Sequence, residues 1–207
     1  MNLEKKFIDK LDQISISKAS GSVDVTNPTG FKLLGKGHQG AVFQIDENRC
    51  VKIYCRNEDL VRELHSLNLG GKVGITPKVY FSGDNFIVME YMTSPTLFEY
   101  LDKNPLNKEL VSRIIELLDI FEQIGYNRFD HSARHIYVVP NSKLKIIDVV
   151  HMIKKEPVYL AEKLISDMGV NANEFIRLVK ETSPKWYKRW ETDTGFADLM
   201  MKVNRKA

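Results

Sequence analysis

Gly35-Lys36-Gly37-His38-Gln39-Gly40-Ala41-Val42 is the stretch that most restricts what this chain can become. It has G-x-G-x-x-G-x-V spacing, and glycine is needed where backbone amides must approach phosphate oxygens with no Cβ in the way. A similar string opens dinucleotide-binding folds, but there the glycines lead from a strand into a helix. Here Phe31-Lys32-Leu33-Leu34 before the loop and Ala41-Val42-Phe43-Gln44-Ile45 after it both read as strands, so the loop is the tip of a hairpin. Taken alone, such a loop is more often a plain glycine-rich turn than a phosphate cradle, and other residues must decide.

Lys52 is the first of them. It lies in Cys50-Val51-Lys52-Ile53-Tyr54, an otherwise apolar strand, where an ammonium group is rare unless it is paired or holds an anion. The spacing predicts a helix over Glu58 to Leu69, stopped by Gly70-Gly71, with Leu60, Leu64 and Leu67 as its buried stripe. Glu63 falls at the edge of that stripe, where its carboxylate would aim Lys52. Taken singly, Glu63 reads as an ordinary solvated helix residue. Val79-Tyr80-Phe81 and Phe86-Ile87-Val88-Met89 make two further strands, so the first ninety residues read as an antiparallel sheet with one inserted helix. Ahead of it, Leu3, Phe7, Ile8, Leu11 and Ile14 have near-helical spacing, and Ser17 to Gly30 is a stretch of small residues.

From Pro95 the periodicity becomes helical, most clearly over Leu106 to Ile124. Asn127-Arg128-Phe129-Asp130-His131-Ser132-Ala133-Arg134-His135 follows, then an apolar strand Ile136 to Val139, a turn at Pro140-Asn141-Ser142, and a return strand Lys143 to Asp148. That hairpin carries Asp148 back beside the segment holding Asp130. Two carboxylates there suit magnesium binding and the positioning of a hydroxyl nucleophile. His131 and His135 have the spacing of a helical zinc pair, but no third soft ligand is near in the sequence.

Bulk properties narrow the class. An apolar fraction of 43% and a charged fraction of 28% over 207 residues suit one globular domain or two small lobes. The net charge of +3 gives no case for nucleic acid or an anionic membrane as a partner. The N-terminus lacks a secretory pattern, and no run approaches the roughly 18 apolar residues a membrane span needs. Cys50 and Cys55 fall on opposite faces of one strand, which argues against a disulfide and for a reducing, cytoplasmic setting. Lys185-Trp186-Tyr187-Lys188-Arg189-Trp190 is the one basic and aromatic cluster; a terminal helix with packed tryptophans is favoured over a nucleic-acid or membrane surface.

In order and spacing these pieces resemble the eukaryotic-type protein kinases and their small bacterial relatives, over roughly Phe31 to Asp148. Val88-Met89-Glu90-Tyr91-Met92 resembles the adenine-binding hinge, Phe129-Asp130 the catalytic H-R-D and Ile147-Asp148-Val149-Val150 the D-F-G. The resemblance implies an α+β, kinase-like two-lobe fold. Its N-lobe, at about 31–90, is an antiparallel sheet with one helix; a reduced, mainly helical C-lobe follows at about 93–207, and 1–30 is an N-terminal extension. It implies an ATP-dependent phosphotransferase using Mg²⁺ or Mn²⁺ on a protein or small-molecule hydroxyl, with a minimal serine/threonine kinase as the first expectation. Leu34, Gly35, Lys36, Gly37, His38, Gln39, Gly40, Ala41, Val42, Met89, Glu90 and Met92 would then surround the nucleotide. Lys52 would contact the α- and β-phosphates with Glu63 orienting it, Asp130 would take or orient the hydroxyl proton, and Asp148 with His135 would hold the metal.

The departures are local. Arg128 and Phe129 replace the histidine and arginine before the catalytic aspartate, so a phosphorylated activation loop has no anchor of the usual kind. His135 stands where asparagine is expected, and imidazole is a poor magnesium ligand. Val149 and Val150 replace the phenylalanine and glycine of D-F-G, and no A-P-E string follows. These departures keep two alternatives open: a kinase-fold phosphotransferase for a small molecule, and a nucleotide-binding module with little or no catalysis.

Overall fold

The computed structural model describes residues 3–205. Its architecture is α+β: antiparallel sheet predominates in the first part of the chain and helix in the second. The chain divides into two compact units, one comprising residues up to Asn68 together with Pro77–Met92, the other Leu69–Thr76 and everything from Thr93.

The first unit is built on a five-stranded sheet of β3 (Lys32–Lys36), β4 (Gly40–Gln44), β5 (Arg49–Tyr54), β7 (Phe86–Glu90) and β6 (Val79–Ser82), in that order and antiparallel throughout. Alternation along the strands sorts the side chains. Ala41 and Phe43 pair in register with Ile53 and Val51, which pair with Phe86 and Val88, and these six form one apolar core face. Helix α1 (Leu3–Leu11) and the hairpin β1 (Ser15–Ser17) to β2 (Asp24–Thr26) supply Leu11, Ile14 and Val23 to the same core. The N-terminal segment is thus part of this core, with Phe7, Ile16, Val25 and Phe31 packed around it. Val42, Lys52 and Ile87, one register row on, occupy the other face.

Helix α2 (Asn57–Lys72) is longer than the glycine pair suggests, because it runs through Gly70 and Gly71 and ends before Gly74, whose φ of +78° stops it. Gly70 serves close packing. A Cβ there would lie 2.3 Å from Thr76 Cγ2 and 3.1 Å from the Tyr126 hydroxyl, whereas one on Gly71 would meet nothing nearer than 3.8 Å.

In the second unit α3 (Leu97–Leu101) starts with a reciprocal Thr96/Glu99 capping box, and α4 (Lys108–Gln123) is capped by Asn107. A 3₁₀ turn, Ala133–His135, leads into β8 (Ile136–Tyr137), which pairs with β9 (Lys145–Ile146). This hairpin is shorter than its apolar sequence predicts, because Tyr137 bridges to Thr96 and the Val138 amide donates to the Pro95 carbonyl. Helices α5 (Glu162–Asp167), α6 (Ala172–Thr182), α7 (Pro184–Glu191) and α8 (Phe196–Asn204) complete the unit. Trp186 and Trp190 of α7 are fully buried; their indole N–H groups donate to Asp119 and to the Tyr159 carbonyl. Lys185 and Arg189 pair with Glu122 of α4, so the basic aromatic cluster is a packing device.

The two neighbouring glycines give opposite expectations. Gly70→Ala should lower stability by about 1–3 kcal/mol through overpacking, while Gly71→Ala should raise it by about 0.5–1 kcal/mol through helix propensity. Chemical denaturation of both variants checks the pair; equal effects would contradict the packing described.

Candidate functional site

Lys52 and Glu63 meet. The Lys52 ammonium donates to Glu63 Oε2 at 2.5 Å, with Lys52 12% exposed and Glu63 only 2%. Glu63 is therefore central to the buried face of α2, alongside Leu60, Ser66 and Leu67, and Leu64 is only half-buried. The expected stripe is rotated by part of a turn, because a carboxylate with a cationic partner can enter an interior that a solvated one cannot. Tyr54 lies on the same strand face, its ring centroid 5.2 Å from the Lys52 ammonium.

The glycine loop is a tight hairpin. Leu34, Gly35 and Lys36 are in β3, Gly40, Ala41 and Val42 in β4, and the Gly37 amide donates to the Gly40 carbonyl at 3.0 Å across the turn. The three glycines differ in kind. A Cβ at Gly40 would fall 1.9 Å from the Ile53 carbonyl oxygen, so the neighbouring strand accounts for that glycine. Gly35 and Gly37 have open space where a Cβ would be, and neither uses a positive φ. Packing and backbone conformation therefore do not account for these two glycines. Gln39 is tied down through its carbonyl, which accepts the Cys55 amide, while His38 is exposed at the tip.

Met89 is buried on β7, opposite Cys50. The Glu90 amide donates to the Lys78 carbonyl and its side chain accepts the Lys78 amide, fixing the end of the strand two residues before Met92. Burial pushes the Cys50 thiol up to about 12, which makes it an inert filler of the sheet.

In the second unit Asp130 is held by the start of α5. Its Oδ1 accepts the Lys163 amide at 2.6 Å, while Oδ2 lies 3.6 Å from Arg128 Nη2 and 3.7 Å from Lys163 Nζ. The far end of α5 returns the contact: Asp167 Oδ2 accepts the Ser132 hydroxyl at 2.5 Å and the Ala133 amide at 2.9 Å. Loop and helix thus cap each other. Lys163 and Asp167 are four apart, hence on one helix face, but nothing in the sequence names their partners more than thirty residues away.

Asp148 has φ of +58°, one of two non-glycine residues among those described with a left-handed backbone; the other, Asn141, sits in a surface turn. Asp148 lies two residues beyond β9, and aspartate is among the few non-glycine residues that adopt this conformation readily. His135 Nδ1 stands 3.8 Å from Asp148 Oδ2, both side chains being well exposed. The hairpin thus brings Asp148 beside His135, at the end of the segment that holds Asp130, and the Ile147 amide donates to the His135 carbonyl. Among the described residues no group of three or more histidine, cysteine or acidic side chains could by itself enclose a metal. Asp148 fits a cation that keeps water and substrate oxygens in its shell, as magnesium does, whereas the imidazole of His135 fits it poorly.

Two further residues fix this region. Asn127 brackets the segment after Asp148: its side chain donates to the Lys154 carbonyl and accepts the Lys154 amide, and its backbone bonds Met152 and Val158. That segment is held by direct hydrogen bonds, and the Arg128 side chain is turned to Asp130. His131 is buried and its Nε2 lies 3.0 Å from the Ile147 carbonyl, which can only accept, so the imidazole donates there. Burial foremost, with the neighbouring His135 adding to it, lowers its pKa to about 4 against an ordinary 6.5.

No family model matches the chain. It is 25% identical over 123 residues, 56% of its length, to the Bacillus subtilis (strain 168) protein called "Putative serine/threonine-protein kinase YrzF". Among solved structures it is similar to WbdD in complex with the kinase inhibitor LY294002, with a TM-score of 0.53, 16% identity and 91% of this chain covered. It is also similar to monomeric WbdD, with a TM-score of 0.50, 18% identity and 82% covered. The chain spans about half the length of these proteins: 57% of the Bacillus protein and 48% and 45% of the two WbdD chains. The fold of this chain is kinase-like, an antiparallel sheet with its inserted helix followed by a mainly helical part.

His131 gives a pH test. Between about 6.5 and about 4 the unfolded chain takes up a proton that the folded site refuses, so stability is full above 6.5 and falls as pH drops through that window. The whole loss is on the order of 3 kcal/mol. Melting measured from pH 7 to pH 4 should show a shallower decline in His131→Gln than in the unsubstituted protein. Parallel declines would contradict the burial described.

Proposed function

We propose that this chain is an ATP-dependent phosphotransferase that delivers the γ-phosphoryl group to a hydroxyl, most simply that of a serine or threonine in a protein. The observation that carries this assignment is the buried Lys52–Glu63 pair on the sheet that also bears the glycine hairpin. Removing one partner of a buried pair costs about 3–5 kcal/mol, yet replacing both with apolar residues is often neutral or better. Stability alone therefore gives no reason to place an ammonium in this strand, and a phosphate to be held does. The name borne by the Bacillus relative supports a protein substrate.

In this mechanism the glycine hairpin, with no Cβ at Gly35 and Gly37, lets the phosphates approach its backbone, the Lys52 ammonium holds them, and Glu63 fixes where that ammonium points. Met89, Glu90 and Met92 hold the base. Asp148 would carry magnesium, which supplies charge neutralisation at the phosphates when bound. Asp130, held by the Lys163 amide on Oδ1, has Oδ2 to accept a hydrogen bond from the acceptor hydroxyl. As the new P–O bond forms and the bond to the ADP bridging oxygen breaks, the hydroxyl proton passes to Asp130. Positioning and charge account for nearly all of such catalysis, so few residues suffice.

Incubation with γ-labelled ATP and magnesium or manganese, with the protein itself and a generic serine/threonine substrate as acceptors, tests the assignment. Transfer should be metal-dependent and fall at least about 100-fold in each of Lys52→Met, Asp130→Ala and Asp148→Ala. ATP binding without transfer under either metal would overturn it in favour of a nucleotide-binding module. Hydrolysis stimulated only by a small metabolite would move the acceptor from protein to small molecule.

A further inference from the structure

We infer that Lys163 is the cation that binds the phosphoryl group in flight beside Asp130, an inference that rests on the phosphotransferase assignment. The two cations near Asp130 Oδ2 stand at nearly equal distances, 3.6 Å for Arg128 and 3.7 Å for Lys163, but differ in access. Arg128 is 23% exposed and its backbone is tied to Met152, so it is the more enclosed of the two. Lys163 is 54% exposed, and its only close approach among the described residues is to Asp130, just beyond hydrogen-bonding distance. Its three N–H donors are thus open to solvent beside a carboxylate that is itself 14% exposed.

The Lys163 backbone explains why the ammonium is there. Its amide is fixed to Asp130 Oδ1 at 2.6 Å, and Asp167, one turn on, is fixed to Ser132 and Ala133. Both ends of α5 are thereby registered against the loop, and the side chain of Lys163 emerges next to Oδ2. An acceptor hydroxyl bonded to Oδ2 puts the phosphorus it attacks about 3 Å beyond its oxygen. Non-bridging phosphoryl oxygens then come within reach of an ammonium stationed beside Oδ2. In the transfer step the hydroxyl oxygen gains the P–O bond, the ADP oxygen keeps the electron pair of the bond that breaks, and the proton goes to Asp130. Lys163 forms no bond and neutralises charge on the oxygens in transit, as a preorganised cation does most effectively.

Substitution of Lys163 is informative because the bond that positions Asp130 is to its backbone and survives any side chain but proline. Lys163→Met and Lys163→Arg are compared with the unsubstituted protein in three measurements: thermal melting, MgADP affinity with and without aluminium fluoride as a mimic of the phosphoryl group in flight, and ATP hydrolysis to water. The expected result is unchanged melting and unchanged MgADP affinity in both variants. Lys163→Met should lose the gain in affinity that aluminium fluoride confers and about 100-fold in kcat with KM for ATP preserved. Lys163→Arg should recover part of both. Hydrolysis and fluoride enhancement at unsubstituted levels in Lys163→Met would overturn the role of Lys163 alone. An unsubstituted protein that binds no MgADP would overturn the phosphotransferase assignment and this inference with it.

Discussion

A lysine buried in the middle of a five-stranded sheet needs a partner, and the rest of the first unit is arranged to supply one. Lys52 sits in a strand whose register neighbours are Val42 and Ile87, an environment that penalises an unpaired ammonium by several kcal/mol. Glu63 meets that need only if α2 lies with its acidic residue inward, and Leu60 and Leu67 seal the same helix face. The opposite face of the sheet is closed by the N-terminal helix and hairpin through Leu11, Ile14 and Val23. In the hairpin between β3 and β4, Gly35 and Gly37 have open space where a Cβ would be.

The second unit shows the same economy with different means. Asp130 is held by a helix amide with two cations beside it, and the segment leading to Asp148 is tied through its backbone. Asp130 takes an amide from α5, Asp167 of α5 takes a hydroxyl and an amide from the loop, and His131 ties the loop to the carbonyl just before Asp148. Each device joins a donor and an acceptor from different segments, which fixes the loop against helix and strand. Asn127 does the same for the segment that follows Asp148.

Residues whose role depends on local pattern were legible in the sequence. The hairpin loop shows in the alternation on either side of it, and the juxtaposition of His135 and Asp148 follows from a turn at Pro140-Asn141-Ser142. Lys52 stood out because an ammonium in an apolar strand is anomalous by itself. Residues defined by a distant partner were not legible. Glu63 is expected as the carboxylate that aims Lys52 and does pair with it, but its place at the centre of the buried face is not legible, because a stripe read through leucines alone leaves out a paired carboxylate. Lys163 and Asp167 look like surface charges of a short helix until the loop they cap is in place. Gly70 and Gly71 read as a stop, since the sequence carries the flexibility of glycine but not the Thr76 methyl that requires its smallness. The N-terminal helix was visible as an amphipathic pattern, while the sheet face it covers was not.

The claim at the centre of this account is that the Lys52–Glu63 pair exists to present an ammonium to phosphate. It is tested most directly by titrating MgATP into the unsubstituted protein, Lys52→Met, Glu63→Gln and the double variant. If Glu63 acts through Lys52, each single change weakens binding and the double variant binds no more weakly than Lys52→Met alone. Losses that add across the two positions, or affinity that ignores both, would contradict it.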